Sequence, residues 1–388
     1  MKCLIAVSLR EVHRMISRRI YVVSCIVLPL FSLLFMATIF GNGSMENLPV
    51  GVVDNDHTAA SRKIIRRLEA SPTLHVLRHY ANEAEARKDV QRKRIYGYLV
   101  IPFGFAERAG NNQPVTLAYY YHNAMLSVGG ELHSAFEQLL KPVSVQPIAT
   151  VAVGLGEEPS AITSFLLPVA EEEAQLYNMD RNYAVYLSQP FFFVFLQILL
   201  LLVTLYSLGS EMKGGTQNDW LQAADGNMGV AVAGKLLPYT FLFSVMGIGA
   251  NALFYGWMQL PLAGSLWTIN GLTVLFILAT QALALFLYEV FPVMSLVISV
   301  VSMVGSLGAT LSGVTFPVSF MDTPVYAASY LFPIRHYVEA VQRQLYLDGT
   351  FADDGMNAVC LLLFLFPPLF LLPRLKNALI TRKYEKFV

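Results

Sequence analysis

The sequence predicts an α-helical polytopic membrane protein: six transmembrane helices with an inserted extracytoplasmic α/β domain. Three observations carry that prediction. Of 388 residues, 55% are hydrophobic and only 14% charged, where soluble domains carry about 25% charged residues. The apolar residues are bunched into long runs rather than spread at helical or strand period. One long polar segment separates the first run from the second. The formal net charge is zero, so the overall balance points to no nucleic acid and no acidic partner. Cys3, Cys25 and Cys360 show no metal-ligand spacing and imply no disulfide framework.

A membrane-spanning helix needs about 20 predominantly apolar residues. Six stretches are read as spans, at 20–40, 185–208, 236–257, 266–288, 293–316 and 358–372. The first is too long for a secretion signal and lacks a convincing small-residue cleavage site, so it reads as a retained helix. Pro190, Pro238 and the Pro367-Pro368 pair are expected to kink their helices, where neighbouring helices can satisfy the freed backbone groups.

Lys and Arg near the ends of spans mark the cytoplasmic side. The first 19 residues carry Lys2, Arg10, Arg14, Arg18 and Arg19 against Glu11, and the C-terminal segment carries Arg374, Lys376, Arg382, Lys383 and Lys386 against Glu385. An even number of spans puts both ends on one side, and both are basic, which predicts cytoplasmic termini. The segment after the fifth run is acidic, with Asp322, Glu339, Asp348, Asp353 and Asp354 against Arg335 and Arg343, and is expected outside. A basic run between Arg62 and Arg94 goes against this pattern, but it lies in a segment far longer than the ~60 residues over which the rule holds.

Three regions follow. Residues 1–40 hold the first span and, before it, Ile5, Leu9, Val12 and Ile16 at helical spacing with Arg10, Arg14 and Arg18 on another face, as in an amphipathic helix on the inner membrane surface. The alternative is a plain extension of the first span. Residues 41–182 form the extracytoplasmic α/β domain, with strands at 50–53, 73–80, 96–101 and 115–121, helices at 59–70 and 83–93, and helical patterns at 126–140 and 161–176. Residues 183–388 hold spans two to six, a cytoplasmic loop at 209–233 and an outer hairpin at 317–349. In that hairpin the apolar stretch 326–332 is far too short to cross, and Arg335, Glu339 and Arg343 share a polar face at i, i+4 spacing.

No residue set reads as catalytic or metal-binding. Asp54-Asn55-Asp56-His57 lacks the calcium-loop spacing and reads as turn and N-cap residues, and Glu171-Glu172-Glu173 reads as a solvated helix face. No G-x-x-x-x-G-K-[ST] phosphate loop occurs, so the chain is not expected to hydrolyse ATP. His57, His75, His79, His122 and His133 accompany no nucleophile motif. Gly305, Ala309 and Gly313 at four-residue intervals suit close helix packing, either across a dimer or, as favoured here, within the subunit. Gln197, Asn251, Asn270 and Gln281 read as interhelical hydrogen-bonding groups. Charges inside the spans look almost absent, with Glu289 at an inner rim, which disfavours a secondary transporter.

Two stretches resemble the ABC-2 type permease family, in particular members with a large extracytoplasmic domain between the first two spans. One is Glu211-Met212-Lys213-Gly214-Gly215-Thr216-Gln217-Asn218-Asp219-Trp220-Leu221, followed by Gly234-Lys235-Leu236-Leu237-Pro238-Tyr239. The other runs Leu311-Ser312-Gly313-Val314-Thr315-Phe316-Pro317 through Met321, Pro324, Ser329, Pro333, Tyr337 and Arg343 to Leu347-Asp348-Gly349. The match is partial: Asn218 stands where an acidic residue is common, and Ala224-Asp225-Gly226-Asn227 replaces a proline-containing turn.

The resemblance implies the membrane subunit of an exporter in a bacterial inner membrane. Its ATPase would be a separate subunit holding ATP and Mg, and a second permease copy, identical or sister, would complete the pathway; a periplasmic adaptor is a further conceivable partner. It assigns Glu211, Lys213, Gly215, Thr216, Trp220 and Leu221 to ATPase coupling and Arg335, Glu339 and Arg343 to an outer gate. Trp220 is a large side chain of the kind that anchors interfaces; the alternative is that Trp220 and Leu221 only dip into the lipid headgroups. The rival reading is a membrane-anchored receptor or assembly scaffold, for which five further spans are more than an anchor needs.

Overall fold

The computed structural model describes residues 2–41, 43, 45–111, 113, 115–154, 178, 182–346 and 354–381. The chain divides into two compact units, Met1–Gly43 with Tyr177–Val388, and Ser44–Leu176. The helix expected over 161–176, the run Glu171-Glu172-Glu173 and the 347–349 end of the hairpin lie outside the described residues.

The first helix, α1 (Lys2–Ser17), stops at the extended backbone of Arg18, and α2 (Arg19–Ile39) begins after it. The break rules out one continuous helix running through the first span. Val7, Glu11 and Arg14 of α1 are buried, while Ile5, Leu9, Val12 and Ile16 are exposed. An outward apolar stripe on a helix with an inward charged face suits a helix lying at a lipid surface.

The unit Ser44–Leu176 alternates β1 (Leu48–Asp54), α3 (Ala59–Glu69), β2 (Leu74–Tyr80), α4 (Glu83–Gln91), β3 (Gly97–Ile101), α5 (Phe105–Gly110), β4 (Ala118–Tyr121) and α6 (Leu126–Gly154). The sheet order is β2-β1-β3-β4, with β1 parallel to β2 and β3, and β3 antiparallel to β4. Period-two alternation sets its two faces. Val50, Val52, Leu99 and Ile101 meet Ile64 and Leu68 of α3 and Leu132 and Phe136 of α6, whereas Val53, Tyr98 and Val100 meet Ala86 of α4. Both crossover helices start at side-chain caps: Thr58 and Ser61 form a reciprocal capping box, and Asn82 accepts from the Glu85 N–H at 3.0 Å.

The other unit continues with α7 (Ala184–Lys213), α8 (Gln217–Ala223), α9 (Met228–Trp257), α10 (Leu266–Val290), α11 (Met294–Thr310), α12 (Thr323–Ser329), α13 (Pro333–Tyr346), α14 (Gly355–Leu363) and α15 (Phe366–Ile380). Five helices among the described residues are long and apolar enough to cross a membrane: α2, α7, α9, α10 and the pair α14–α15. In α7 and α10, 67% and 61% of the apolar window is buried inside the protein, against 22% in α2 and in α14–α15. The first two are therefore central and the others peripheral. Pro367-Pro368 follows the break between α14 and α15, whereas Pro238 sits inside a helix that continues past it.

The run read as a span over 293–316 holds a helix shorter than expected. Helix α11 has 17 residues, about 25 Å at 1.5 Å per residue. It ends at Thr310, with Gly313 in a left-handed conformation (φ 88°) and Pro317 following. Gly313 thus lies past the helix and packs no helix face. The close approaches are made by Gly305, where a Cβ would stand 2.9 Å from Ile198 Cγ1, and by Gly308, where it would stand 3.0 Å from Gln197 Nε2. Ala309 packs beside them against the apolar core. Both glycine contacts are to α7, within the chain.

Gly234 plays the same part between α9 and α1. A Cβ there would lie 2.8 Å from Val7 Cβ and 3.0 Å from the Leu4 carbonyl oxygen, whereas one on Gly249 meets nothing within 4 Å. Gly234→Val should destabilise the detergent-solubilised protein by about 1–3 kcal/mol through overpacking, with Gly249→Ala near neutral, as read by thermal unfolding. Equal effects of the two would contradict the α1–α9 packing.

Candidate functional site

Helix α7 carries Glu211 in its last turn, where the helix dipole is negative and a carboxylate is disfavoured. The carboxylate is also fully buried, so it needs close cations to remain. Three converge on it. Arg10 Nη1 and Nη2 donate to its Oε1 and Oε2 at 2.9 and 3.0 Å, Arg14 Nη1 donates to Oε1, and Lys235 Nζ donates to Oε1 at 2.7 Å. Lys235 Nζ, itself buried, also donates to Glu11 Oε2 at 2.6 Å, and the Tyr239 hydroxyl donates to Glu11 Oε1 at 2.7 Å. Arg14 Nη2 reaches Ser210 Oγ at 2.9 Å. Two carboxylates and three cations thereby tie α1, α7 and α9 together.

The chain reverses directly below this cluster. Gly215 takes the left-handed conformation (φ 65°) that the turn into α8 requires, and the Thr216 hydroxyl donates to Glu211 Oε2. Helix α8 then turns Gln217, Trp220 and Leu221 inward. Trp220 Nε1 donates to the Ala231 carbonyl at 3.1 Å, and Lys235 Nζ sits 5.2 Å from its ring centroid. Asp225 and Gly226, at φ 54° and 73°, make the turn into α9, which Asn227 caps by accepting from the Val230 N–H at 3.2 Å. Lys376 Nζ of α15 holds that turn through the Gly226 carbonyl at 2.6 Å.

This geometry revises the residues expected to grip an ATPase. Trp220 is 1% exposed and belongs to the apolar core with Leu221, Met212 and Leu375, so it is not a surface anchor. Glu211 is equally withdrawn. Their part is to fix the turn from inside, with Thr216 beside them. The outward face consists of Lys213, Gly214, Gly215, Asn218, Asp219 and Gln222. Of the expected set, only Lys213 and Gly215 lie on it.

Buried charge was missed in reading the sequence, where the spans looked almost free of it. The signals were present in Glu11, a lone acid in a basic segment, and Lys235, a lone cation in an apolar run. Their pairing, 224 residues apart in sequence, needed the fold.

Arg335, Glu339 and Arg343 do come together on α13. Glu339 bridges Arg335 at 3.3 Å and Arg343 at 2.9 Å. Arg335 is buried under two rings, 4.0 Å from the Tyr330 centroid and 5.4 Å from that of Tyr326. Helix α13 is otherwise an internal element: the Tyr337 ring stacks on Phe276 at 4.7 Å, and its hydroxyl meets Thr273 Oγ1 at 2.9 Å and Gln189 Nε2 at 3.0 Å. Asn251 Nδ2 continues this polar layer to Thr273 and Asn270, each at 3.0 Å, and Gln281 pairs with Thr240 at 2.6 Å. Gln197 is different, since both its amide atoms are buried without a partner among the described residues, as are both carboxylate oxygens of Glu289.

Asp54 and Asp56 serve local structure. Asp54 accepts from the backbone of Asp56 and His57 and from Ser61, and Asp56 accepts from Thr58 and the Ala106 N–H. Partial burial pushes the Asp54 carboxyl up, but these hydrogen bonds together outweigh it and hold it below the usual carboxylate range. Among the described residues no three metal-ligating side chains converge.

The family model for ABC-2 family transporter proteins matches residues 19–372. A search of the curated proteins finds no match to the chain. With its five helices of membrane-crossing length and this match over most of its sequence, the chain belongs to the ABC-2 transporter family, the membrane permeases of ABC transporters.

Proposed function

We propose that the chain is the permease subunit of an ABC exporter, moving a substrate out of the cytoplasm or the inner leaflet with energy from a separate ATPase subunit. The observation that carries this reading is the clamped turn at the end of α7. Membership of the family implies association with an ABC ATPase, and a coupling element must be stiff to transmit a push. Here the turn is stiffened from within by Glu211 and Trp220, and it leaves Lys213, Gly214, Gly215, Asn218, Asp219 and Gln222 on the outside for a partner. Helix α11 is the sixth membrane helix in this proposal, shortened and followed by the α12–α13 hairpin. Both termini and the α8 turn are then cytoplasmic, and Ser44–Leu176 lies outside. Two permease subunits enclose the pathway, with the Arg335–Glu339–Arg343 array at its outer end.

A photo-crosslinker placed at Asn218 should capture a polypeptide bearing the G-x-x-x-x-G-K-[ST] loop, and Asp219→Arg should weaken that complex and its substrate-stimulated ATP hydrolysis about ten-fold or more, as loss of a single well-placed interface contact can do. Trp220→Phe, which keeps the turn packed, should retain both. Absence of an ATPase among the captured products would reject this face as the docking site. Orientation has its own test in a background lacking Cys3, Cys25 and Cys360. A cysteine at exposed Lys63 should react with a membrane-impermeant thiol reagent in intact cells, and one at Asn218 should not; the opposite pattern would invert the topology.

A further inference from the structure

The basic run between Arg62 and Arg94 has no part in the transport reading, and the fold places it on the edge strand β2 and on the two helices that flank the sheet on opposite faces. Ten Lys and Arg lie in residues 62–94 against four Asp and Glu. The rest of the described residues in the Ser44–Leu176 unit carry two basic and six acidic residues. The strand order β2-β1-β3-β4 explains the segregation: α3, β2 and α4 are consecutive in the chain, and β2 is the sheet edge. Arg62, Lys63 and Arg66 are exposed on α3, and Lys88, Arg92 and Lys93 are exposed on and just after α4. Within the edge, Arg78 and Arg94 share the single carboxylate of Asp89, at 3.9 and 3.5 Å, which also accepts from the Tyr80 hydroxyl. One acid so divided leaves the edge strongly positive. In its middle stands Leu77, 53% exposed between Val76 and Arg78, with His75 and His79 exposed on either side.

We infer that this α3–β2–α4 edge docks on an anionic lipid surface, the phospholipid headgroups of the membrane that the chain itself spans. The charge is spread over three successive elements and nine of the ten basic side chains are exposed, Arg67 being half-buried, which suits a broad polyanion. The exposed Leu77 amid basic side chains is the composition of an interfacial segment, apolar contact supplemented by attraction to anionic lipid. Eight residues separate the end of α2 at Ile39 from the start of β1 at Leu48, a link of at most about 30 Å. Headgroups are therefore always at high local concentration. Charged side chains on an edge strand also deter aggregation, but that role alone predicts no dependence on lipid charge.

The test uses the full chain in nanodiscs, with Cys3, Cys25 and Cys360 changed to Ser and a fluorophore on Leu77→Cys. The discs are phosphatidylcholine alone or mixed with phosphatidylglycerol, each doped with a headgroup-nitroxide lipid. Quenching should be strong only in the anionic discs and should fade at about 1 M salt, where the Debye length is about 3 Å. Each basic side chain at an anionic surface is worth about five-fold in partitioning, so Arg62→Gln, Lys63→Gln and Arg66→Gln together should lower the docked-to-free ratio about a hundred-fold. Lys88→Gln with Arg92→Gln should lower it about twenty-fold by the same rule, and Arg108→Gln, outside the basic edge, should leave it unchanged. No quenching in either disc, or equal quenching in both, would overturn the proposal. Protection of the fluorophore by an added soluble acidic polypeptide, without headgroup quenching, would overturn it in favour of a protein partner.

Discussion

Glu211 sits where both burial and the helix dipole oppose a carboxylate, at the C-terminal turn of a membrane-length helix. Such a charge persists only if cations close around it, and the ones that do come from two other helices: Arg10 and Arg14 from α1 and Lys235 from α9. Satisfying Lys235 in turn draws in Glu11, and with it Tyr239. The position of α1 is thereby fixed in register against α7 and α9, Gly234 supplying the room for its backbone to approach. Everything below follows, including the left-handed turn at Gly215, the inward Trp220 and the polar outer face of α8. A buried ion cluster is weak evidence for stability as such; what it supplies here is one defined arrangement of three helices above the turn into α8.

The opposite end of the helices is organised differently. There the buried polar groups are mostly neutral, with Tyr337, Thr273, Asn251 and Gln189 sharing hydrogen bonds between α7, α9, α10 and α13. Arg335 is held by two tyrosine rings and Glu339 instead of by a ring of counter-charges. Among the described residues, ions clamp one end of this unit and amides, hydroxyls and aromatic rings pack the other. Gln197 and Glu289, buried without partners among the described residues, depart from that pattern.

The sequence made the membrane helices readable because lipid leaves little choice: long apolar runs must be helices, and their limits follow from charge and from turn residues. The α/β unit was readable from short β-rich runs such as Val50 to Val53 alternating with helical stretches, although the caps are Thr58 and Asn82, where the sequence pointed to Asp54–His57 for turn and cap. Two kinds of feature were not. Direction around a short helix was one, since Trp220 and Asp219 are neighbours in a seven-residue helix and only the packing decides which faces in. Long-range pairing was the other: Glu11 and Lys235 read as isolated charges until the fold sets them 2.6 Å apart. The end of α11 at Thr310 belongs with these, because nothing in an apolar run tells whether Gly313 continues a helix or breaks it.

The coupling between Glu211 and Lys235 tests the central claim most directly. In a double-mutant cycle read by thermal or denaturant unfolding of the detergent-solubilised protein, Glu211→Gln and Lys235→Met should each destabilise by about 3 kcal/mol, the cost of leaving a buried charge without its partner. The double variant should be well short of the sum, with a coupling of about 2 kcal/mol. Additive losses, or single variants as stable as the unaltered protein, would show that the cluster does not hold α1, α7 and α9 together.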